Sequence, residues 1–161
     1  MADIRLSTAG IKVYYAVEAS TGVRPAAMSA YTEIPEIVSI PAINESPTTL
    51  DATPLSQTVN HVYIDGLNDP GGAIALTANF SQTLLTSWNT TIIGAYETGI
   101  ASNLNMWFCI VIPDYTDAFY MQGKPTPIGM PSAEVDSVFQ CTLNIIPTGD
   151  MDWYVKPTIS A

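Results

Sequence analysis

The chain of 161 residues has the length of one domain and can bury a core without disulfides or metals. Only 12% of its residues are charged, about half of the usual fraction, and 47% are hydrophobic, which favours a subunit that buries its flanks in an assembly. Fifteen acidic residues against five Lys and Arg give a net charge of −10, with no cation between Arg24 and Lys124, and this excludes a protein that grips a phosphate backbone.

The first forty residues predict two strands separated by a loop. Residues 11–17 are rich in β-branched and aromatic types, which favour a strand, and residues 19–32 are small and polar, which favours a loop. Residues 33–40 predict a second strand. Because proline has no backbone donor, Pro35 belongs at the start of that strand or at a sheet edge.

Residues 41–58 predict a long loop that contains three prolines. Loops longer than about 12–15 residues are uncommon in compact domains and are usually functional or disordered. Apolar residues are spaced through this loop, so we expect an arm that packs against another surface.

The next segments predict two strands and the only helix. Residues 59–65 resume a strand, residues 66–72 form a turn, and residues 73–80 alternate as a half-buried strand does. Residues 81–98 predict a helix that Ser81 caps. Its β-branched residues and one glycine give it poor intrinsic propensity, so packing on a sheet must hold it. The predicted anchors recur every four residues and form one apolar stripe: Leu84, Trp88, Ile92 and Tyr96.

The C-terminal third predicts further strands. Residues 105–112 are apolar on both faces, which is typical of a strand covered on both sides, and residues 117–121 form a short strand. Residues 134–146 form the longest alternating stretch, and residues 153–158 predict an edge strand. The stretch 134–146 places Val135, Phe139, Cys141, Leu143 and Ile145 inward, and Asp136, Gln140, Thr142 and Asn144 outward.

These elements predict a mainly β fold: a β-sandwich or partly closed barrel of about seven or eight strands with one flanking helix. We expect a single domain over residues 1–161, without an appended immunoglobulin-like domain. The N-terminus has no signal-peptide hydrophobic region, and no stretch approaches the ~20 apolar residues of a membrane helix. We therefore expect a soluble product of the cytoplasm with no membrane contact.

The sequence offers no pattern for a catalytic, cofactor or metal site. The single histidine, His61, shares a predicted strand face with Val59 and Tyr63, and nothing brings it to Cys109 as a nucleophile–base pair. Cys109 and Cys141 are expected to be buried free thiols. Two carboxylate pairs are open to other interpretations: Asp114 with Asp117 as solvated turn charges or a cation site, and Glu134 with Asp136 as an acidic pore rim or an acid–base pair.

Several segments resemble the major tail tube subunits of long-tailed phages, in order and over nearly the whole chain. They are residues 12–18, 22–25, 31–37, 47–55, 64–72, 133–138 and 145–149. The resemblance implies a β-sandwich or barrel with one helix on its flank. It also implies that six copies close a ring and that rings stack into a hollow tube through which DNA passes without specific binding.

The resemblance also assigns roles to particular residues. A long loop after the second strand reaches a neighbouring ring, and the candidates here are Ile43, Asn44, Glu45, Leu50, Asp51 and Leu55. In such a tube, the polar faces of the alternating strands would either line the bore or form a solvent-facing sheet on the outside, and the candidates for the bore are Thr77, Asn79, Asp136, Gln140, Thr142 and Asn144. The implied partners are further copies of the chain and other tail proteins (tape measure, terminator, and baseplate or tip), in a virion tail made in the host bacterial cytoplasm.

Two other classes of protein remain open at this point. A secreted or surface β-sandwich module that binds a carbohydrate or a protein would show an exposed row of aromatic residues. The three tryptophans, Trp88, Trp107 and Trp153, do not fall in one such row. A small hydrolase built on Glu134 and Asp136 has no supporting motif.

Overall fold

Nine strands, one long helix and a short 3-10 helix, Met28–Ala30, form the computed structural model, which describes residues 10–67, 69 and 71–158. The helix covers residues 82–101 and has a π-helical middle, Ser87–Ile92, between the α-helical parts Gln82–Thr86 and Ile93–Ala101. The strands are β1 Lys12–Val17, β2 Thr32–Ile34, β3 Ile37–Ser39, β4 Thr49–Asp51, β5 Tyr63–Asp65, β6 Ile74–Asn79, β7 Met106–Val111, β8 Asp117–Pro125 and β9 Gln140–Val155.

Seven strands form one antiparallel sheet that curls into a nearly closed barrel. Their order is β2-β1-β7-β8-β9-β6-β3, so β2 and β3 lie at opposite edges of the sheet. Only Pro35 and Glu36 separate these two strands along the chain. Because three Cα steps span at most about 11 Å, the two edges must lie side by side. Glu36 makes the connection with a positive φ of 65°.

Strand β9 spans two parts of the barrel with its sixteen residues. Its first part pairs with β6, from Gln140 opposite Asn79 to Ile145 opposite Ile74. Its last part pairs with β8, and a register shift between Met121 and Gly123 interrupts that pairing. Such an irregularity bends and twists a strand, so β9 can follow the curve from β6 round to β8.

The helix covers the inner face of the curled sheet and confirms the predicted stripe. Leu84, Trp88 and Ile92 are buried and Tyr96 is partly buried. The Ser81 hydroxyl accepts a hydrogen bond from the Leu84 N–H at 3.1 Å, as predicted for the cap. The Trp88 indole N–H donates to the Thr126 carbonyl at 2.7 Å, so the largest anchor also ties the helix to the chain that leaves β8.

Residues 18–31 cover the opposite face of β1, β7 and β8. Glu18 is buried there, and its carboxylate accepts hydrogen bonds from the Trp107 indole at 2.8 Å and the Gly22 N–H at 2.9 Å. Burial would raise the pKa of Glu18, but these bonds and those from Asn105 lower it below its usual value. The Arg24 guanidinium carbon lies 4.4 Å and 4.2 Å from the ring centroids of Tyr120 and Tyr154, which holds the middle of the segment against the sheet.

The structure corrects several predicted boundaries in the first half of the chain. The predicted strand 33–40 is two strands that break at Pro35 and Glu36 and pair with different neighbours. The predicted loop 41–58 contains β4, and the strand predicted at 59–65 begins only at Tyr63. Of the predicted turn 66–72, residues 68 and 70 lie outside the described ranges.

Two more corrections concern the C-terminal part. The stretch 134–146 is a strand only from Gln140 onward, because Asp136 lies in a turn with a positive φ of 61°. Val135 and Phe139 were predicted to face inward but are 91% and 38% exposed, whereas Cys141, Leu143 and Ile145 are buried as predicted. The predicted edge strand 153–158 is in fact the end of β9, followed by a single bridge from Thr158 to Ala27.

We expect Trp88→Ala to destabilise the fold by about 3–5 kcal/mol, because it removes a fully buried aromatic side chain and leaves a cavity. Urea unfolding of the purified variant measures this loss. Thr90→Ala, on the exposed side of the same helix, is the matched control and should change stability little. Equal stability of the two variants would contradict the packing described for the helix.

Glu18→Gln should destabilise the protein at pH 7 by about 1.5–3 kcal/mol, since hydrogen bonds to a charged group are lost. The folded-state pKa of Glu18 is lowered, so its contribution is present above the unfolded pKa of about 4.3 and is lost as the pH falls through the folded value. The difference in the free energy of unfolding between wild type and variant, measured by urea unfolding, should therefore decrease from pH 7 to pH 3. A gap that stays constant with pH would show that the charge on Glu18 contributes nothing.

Candidate assembly surfaces

The connection between β3 and β6 forms a projecting ribbon, which we call the arm (residues 46–67 and 69). At its base, the backbones of Ser46 and Asp69 exchange two hydrogen bonds of 2.7 Å and 2.8 Å. Further out, β4 and β5 pair antiparallel, with Leu50 opposite Ile64. A side chain at Gly66 would collide with Thr48 on the facing part of the ribbon, so glycine is required there. Because β3 and β6 are neighbours in the sheet, both ends of the arm are anchored at one place.

The arm lies almost entirely outside the body of the protein. Residues 44–65 are all exposed except Thr53. Leu55 is fully exposed and Leu67 is 90% exposed, so apolar side chains of the arm face solvent. Ile43 packs against the core and fixes the start of the connection. The other five residues predicted for the loop contact, Asn44, Glu45, Leu50, Asp51 and Leu55, are exposed.

Thr53 organises the outer end of the arm. Its hydroxyl donates to the Asp51 carboxylate at 2.6 Å and accepts from the Val62 N–H at 2.7 Å. The hydrogen bonds from Thr53 lower the pKa of Asp51. His61 is exposed, with Nδ1 3.7 Å from an Asp51 oxygen, and it precedes β5 rather than lying within a strand. The predicted strand face shared by Val59, His61 and Tyr63 is therefore wrong.

Five of the six residues predicted to line the bore lie together on β6 and β9. Thr77 is opposite Thr142, Asn79 is opposite Gln140, and Asn144 is opposite Ala75. Their side chains alternate with the buried side chains of both strands, so they share the face that points away from the core. Asp136, the sixth, is in the turn before β9 and does not belong to this polar face.

The groups considered for chemistry are dispersed over the described part of the chain. Cys109 and Cys141 are buried free thiols, and burial raises the pKa of Cys109 to about 12, so that thiol stays protonated. Cys109 lies inside β7, whereas His61 is exposed near the end of the arm. Glu134 and Asp136 lie in an exposed segment rather than side by side on a strand.

The other binding classes gain no support from the described residues. Asp114 and Asp117 are exposed, and no cluster of three or more potential metal ligands occurs within the described ranges. Trp88 and Trp107 are buried, so the tryptophans do not form an exposed binding row. Among the described helices, none combines the length and the hydrophobicity needed to cross a bilayer.

Sequence reasoning missed the second half of the arm and the anchors of residues 18–31. Gly66 and the apolar residues that precede Asp65 carried a signal for the arm, but a three-residue strand is too short to show periodicity. Glu18 looked like an ordinary charge at the end of a strand. Its indole partner, Trp107, lies 89 positions away, and only the folded chain brings the two together.

Comparison with known proteins identifies the fold. No protein-family model matches the chain, and no curated protein matches it. Among solved structures, a chain of the anti-feeding prophage baseplate, determined with 6-fold symmetry, is 10% identical with a TM-score of 0.60, covering 96% of this chain and 98% of that one. A chain of the tube-terminating cap of the anti-feeding prophage has 11% identity and a TM-score of 0.58, covering 96% and 94% of the two chains.

A third similar chain comes from the sheath/tube terminator, in the extended state, of an extracellular contractile injection system. It is 11% identical with a TM-score of 0.56, and the match covers 96% of this chain and 100% of that one. At such low identity, these matches establish a shared fold. They confirm the mainly β architecture with one flanking helix.

Proposed function

We propose that this chain is a structural subunit of a phage tail or phage-like particle, and that six copies form rings which stack into a hollow tube. The observation that carries the proposal is the arm, a ribbon with uncovered apolar side chains anchored on a barrel of the tail-particle fold. Two of the structurally similar proteins are described as terminating a tube, and one baseplate was determined with 6-fold symmetry. These descriptions support a ring-forming role.

The exposed surface of the arm calls for a protein partner. Monomeric soluble proteins rarely expose apolar patches larger than a few hundred Å², and larger patches usually mark interaction sites. Leu50, Tyr63 and Ile64 belong to the two strands of the arm and are all exposed. A neighbouring ring would cover these side chains. The low content of charged residues, 12%, fits a subunit whose flanks are also covered.

The polar face of β6 and β9 supports a role in the wall of the bore. Its five side chains are uncharged Thr, Asn and Gln, which remain hydrated without holding an ion. A wall without cations makes no contacts to phosphate, so DNA would pass without meeting binding sites. We further propose that the assembled tube contacts tape measure, terminator and baseplate or tip proteins in a virion tail made in the host cytoplasm.

A second role is a ring at one end of a tube, since the structurally similar chains come from a baseplate, a cap and a terminator. Negative-stain electron microscopy of the purified chain separates the two roles. Tubes of many stacked rings indicate the tube subunit, and single or paired rings indicate an end component. Monomers at every concentration would contradict both.

Replacing residues 47–68 with Asn-Gly should leave a folded subunit that cannot stack. Ser46 and Asp69 already pair across the base of the arm, so a two-residue turn can join them. Sedimentation should show monomers or single rings, and thermal unfolding should match that of wild type. Full-length tubes formed by this variant would show that the arm is not the contact between rings.

Lysines at positions 140 and 142 should slow DNA ejection if the polar face lines the bore. Each subunit would gain two cations on that face, and phosphate contacts depend steeply on salt. In the particles that do assemble, we expect slower ejection at low salt and a delay that shrinks as salt rises, measured by DNA release. Lysines at Thr86 and Thr90, exposed on the helix, are the control. Unchanged ejection at low salt would place the polar face outside the bore.

A further inference from the structure

One edge of β9 is open within the sheet. Strand β8 runs beside β9 until Pro125 lies opposite Ile145, and the Thr126 N–H then donates to the Asn144 carbonyl at 3.0 Å. The next residue is Pro127, which has no N–H to continue the ladder. Beyond this point, the start of β9 has β6 on one side and a cleft on the other.

The backbone of β9 turns its free groups toward this cleft. The carbonyl of Phe139 accepts from Phe80 at the end of β6, and Asn144 bonds on the opposite side. Because successive residues of a strand point their N–H and C=O groups to alternate sides, those of Gln140 and Thr142 point away from β6. Among the described residues, no backbone or side-chain group bonds to them on that side.

The space beside this edge is a cleft of about 360 Å³, between residues 127–132 and the start of β9. We call it the strand-edge cleft. The helix keeps it open, because the Asn89 side chain accepts from the Ile128 N–H at 2.8 Å and donates to the Ile128 carbonyl at 3.4 Å. The backbone that would otherwise pair with Thr142 is thus committed to the helix, and Ile128 is buried.

We propose that the strand-edge cleft receives the arm of a second copy of this chain, which adds a strand to β9. This inference rests on the proposed ring-stacking function and names the surface that receives the arm. The arm supplies what the cleft lacks, since among the described strands β4 and β5 pair only with each other, and each has an outer edge without a strand partner. A two-stranded ribbon is marginally stable alone and gains stability from a third strand.

The side chains around the two surfaces also fit one another. The rim of the strand-edge cleft exposes Met130, at 83%, and the arm exposes Leu50 and Ile64. Backbone hydrogen bonds would supply the pairing, and these apolar side chains would cover each other. The donor and acceptor surfaces lie on different parts of the chain, so the contact is head-to-tail and can propagate from copy to copy.

The charges near this contact make its strength depend on the salt concentration. The arm carries Asp51 and Asp65, and the segment beside the cleft carries Glu134 and Asp136, all exposed. Like charges on facing surfaces repel one another, and salt screens that repulsion over a Debye length of about 8 Å at physiological ionic strength. Arm docking should therefore become tighter as the salt concentration rises.

Disulfide trapping tests the proposal in the full chain. One protein carries Ile64→Cys on the arm and the other carries Ser132→Cys on the cleft rim, and they are mixed under oxidising conditions. Because docking raises the effective concentration of the two thiols, we expect about tenfold or more cross-linked dimer, relative to a control pair of Ile64→Cys with Thr90→Cys on the exposed helix face. Both native cysteines are buried and should contribute little background.

A second variant tests the cleft without added thiols. Gly129→Tyr should fill the cleft and block stacking, since a Cβ at Gly129 meets open space. Gly94→Tyr on the helix, where a Cβ is equally unobstructed, should still stack. One outcome is that rings stack without the cross-link between positions 64 and 132, and also in the Gly129→Tyr variant. That result would show that the cleft does not receive the arm, and it would leave the proposed ring-stacking function unaffected. The absence of any oligomer overturns both.

Discussion

The shape of this protein depends on β9 pairing with β6 at one end and with β8 at the other. This double pairing curls the sheet until β2 and β3, its two edges, are joined by only Pro35 and Glu36. The curl creates the concave face that the helix fills. The curl also determines where the pairing along β9 stops. The chain after β8 leaves β9 at Pro127, whereas β6 stays paired with β9 as far as Gln140. The barrel, the strand-edge cleft and the polar face thus share one origin.

The arm follows from the same topology. Strands β3 and β6 are neighbours in the sheet, and a short turn could have joined them. The chain instead inserts a ribbon whose ends are held by Ser46 and Asp69 and whose two strands bond to each other. A two-stranded ribbon that leaves its outer edges and its apolar side chains uncovered contributes little to the stability of the monomer. In the assembly that we propose, a neighbouring copy covers it.

The sequence predicted those features whose signal is local. The helix stripe of Leu84, Trp88 and Ile92 and the doubly covered strand β7 were visible because periodicity and continuous apolar runs reflect burial directly. Predictions failed where the deciding partner is distant in the chain. Residues 33–40 look like one strand, and only their pairing with β1 on one side and β6 on the other divides them. The alternation of apolar and polar residues runs through Asp136, and it predicted a strand there. The backbone of Asp136 has a positive φ, so the residue lies in a turn instead.

The charge of the chain sets a condition on assembly. A net charge of −10 makes any two copies repel, which favours dispersed subunits at low salt. Attraction between copies must therefore come from short-range terms, namely backbone pairing and apolar contact, which act only when edges meet in register. Long-range repulsion combined with short-range pairing suppresses random aggregation of open strand edges while it permits one geometrically matched contact. In the assembly that we propose, the acidic composition and the open β edges are complementary: the first would prevent wrong contacts, and the second would provide the matched one.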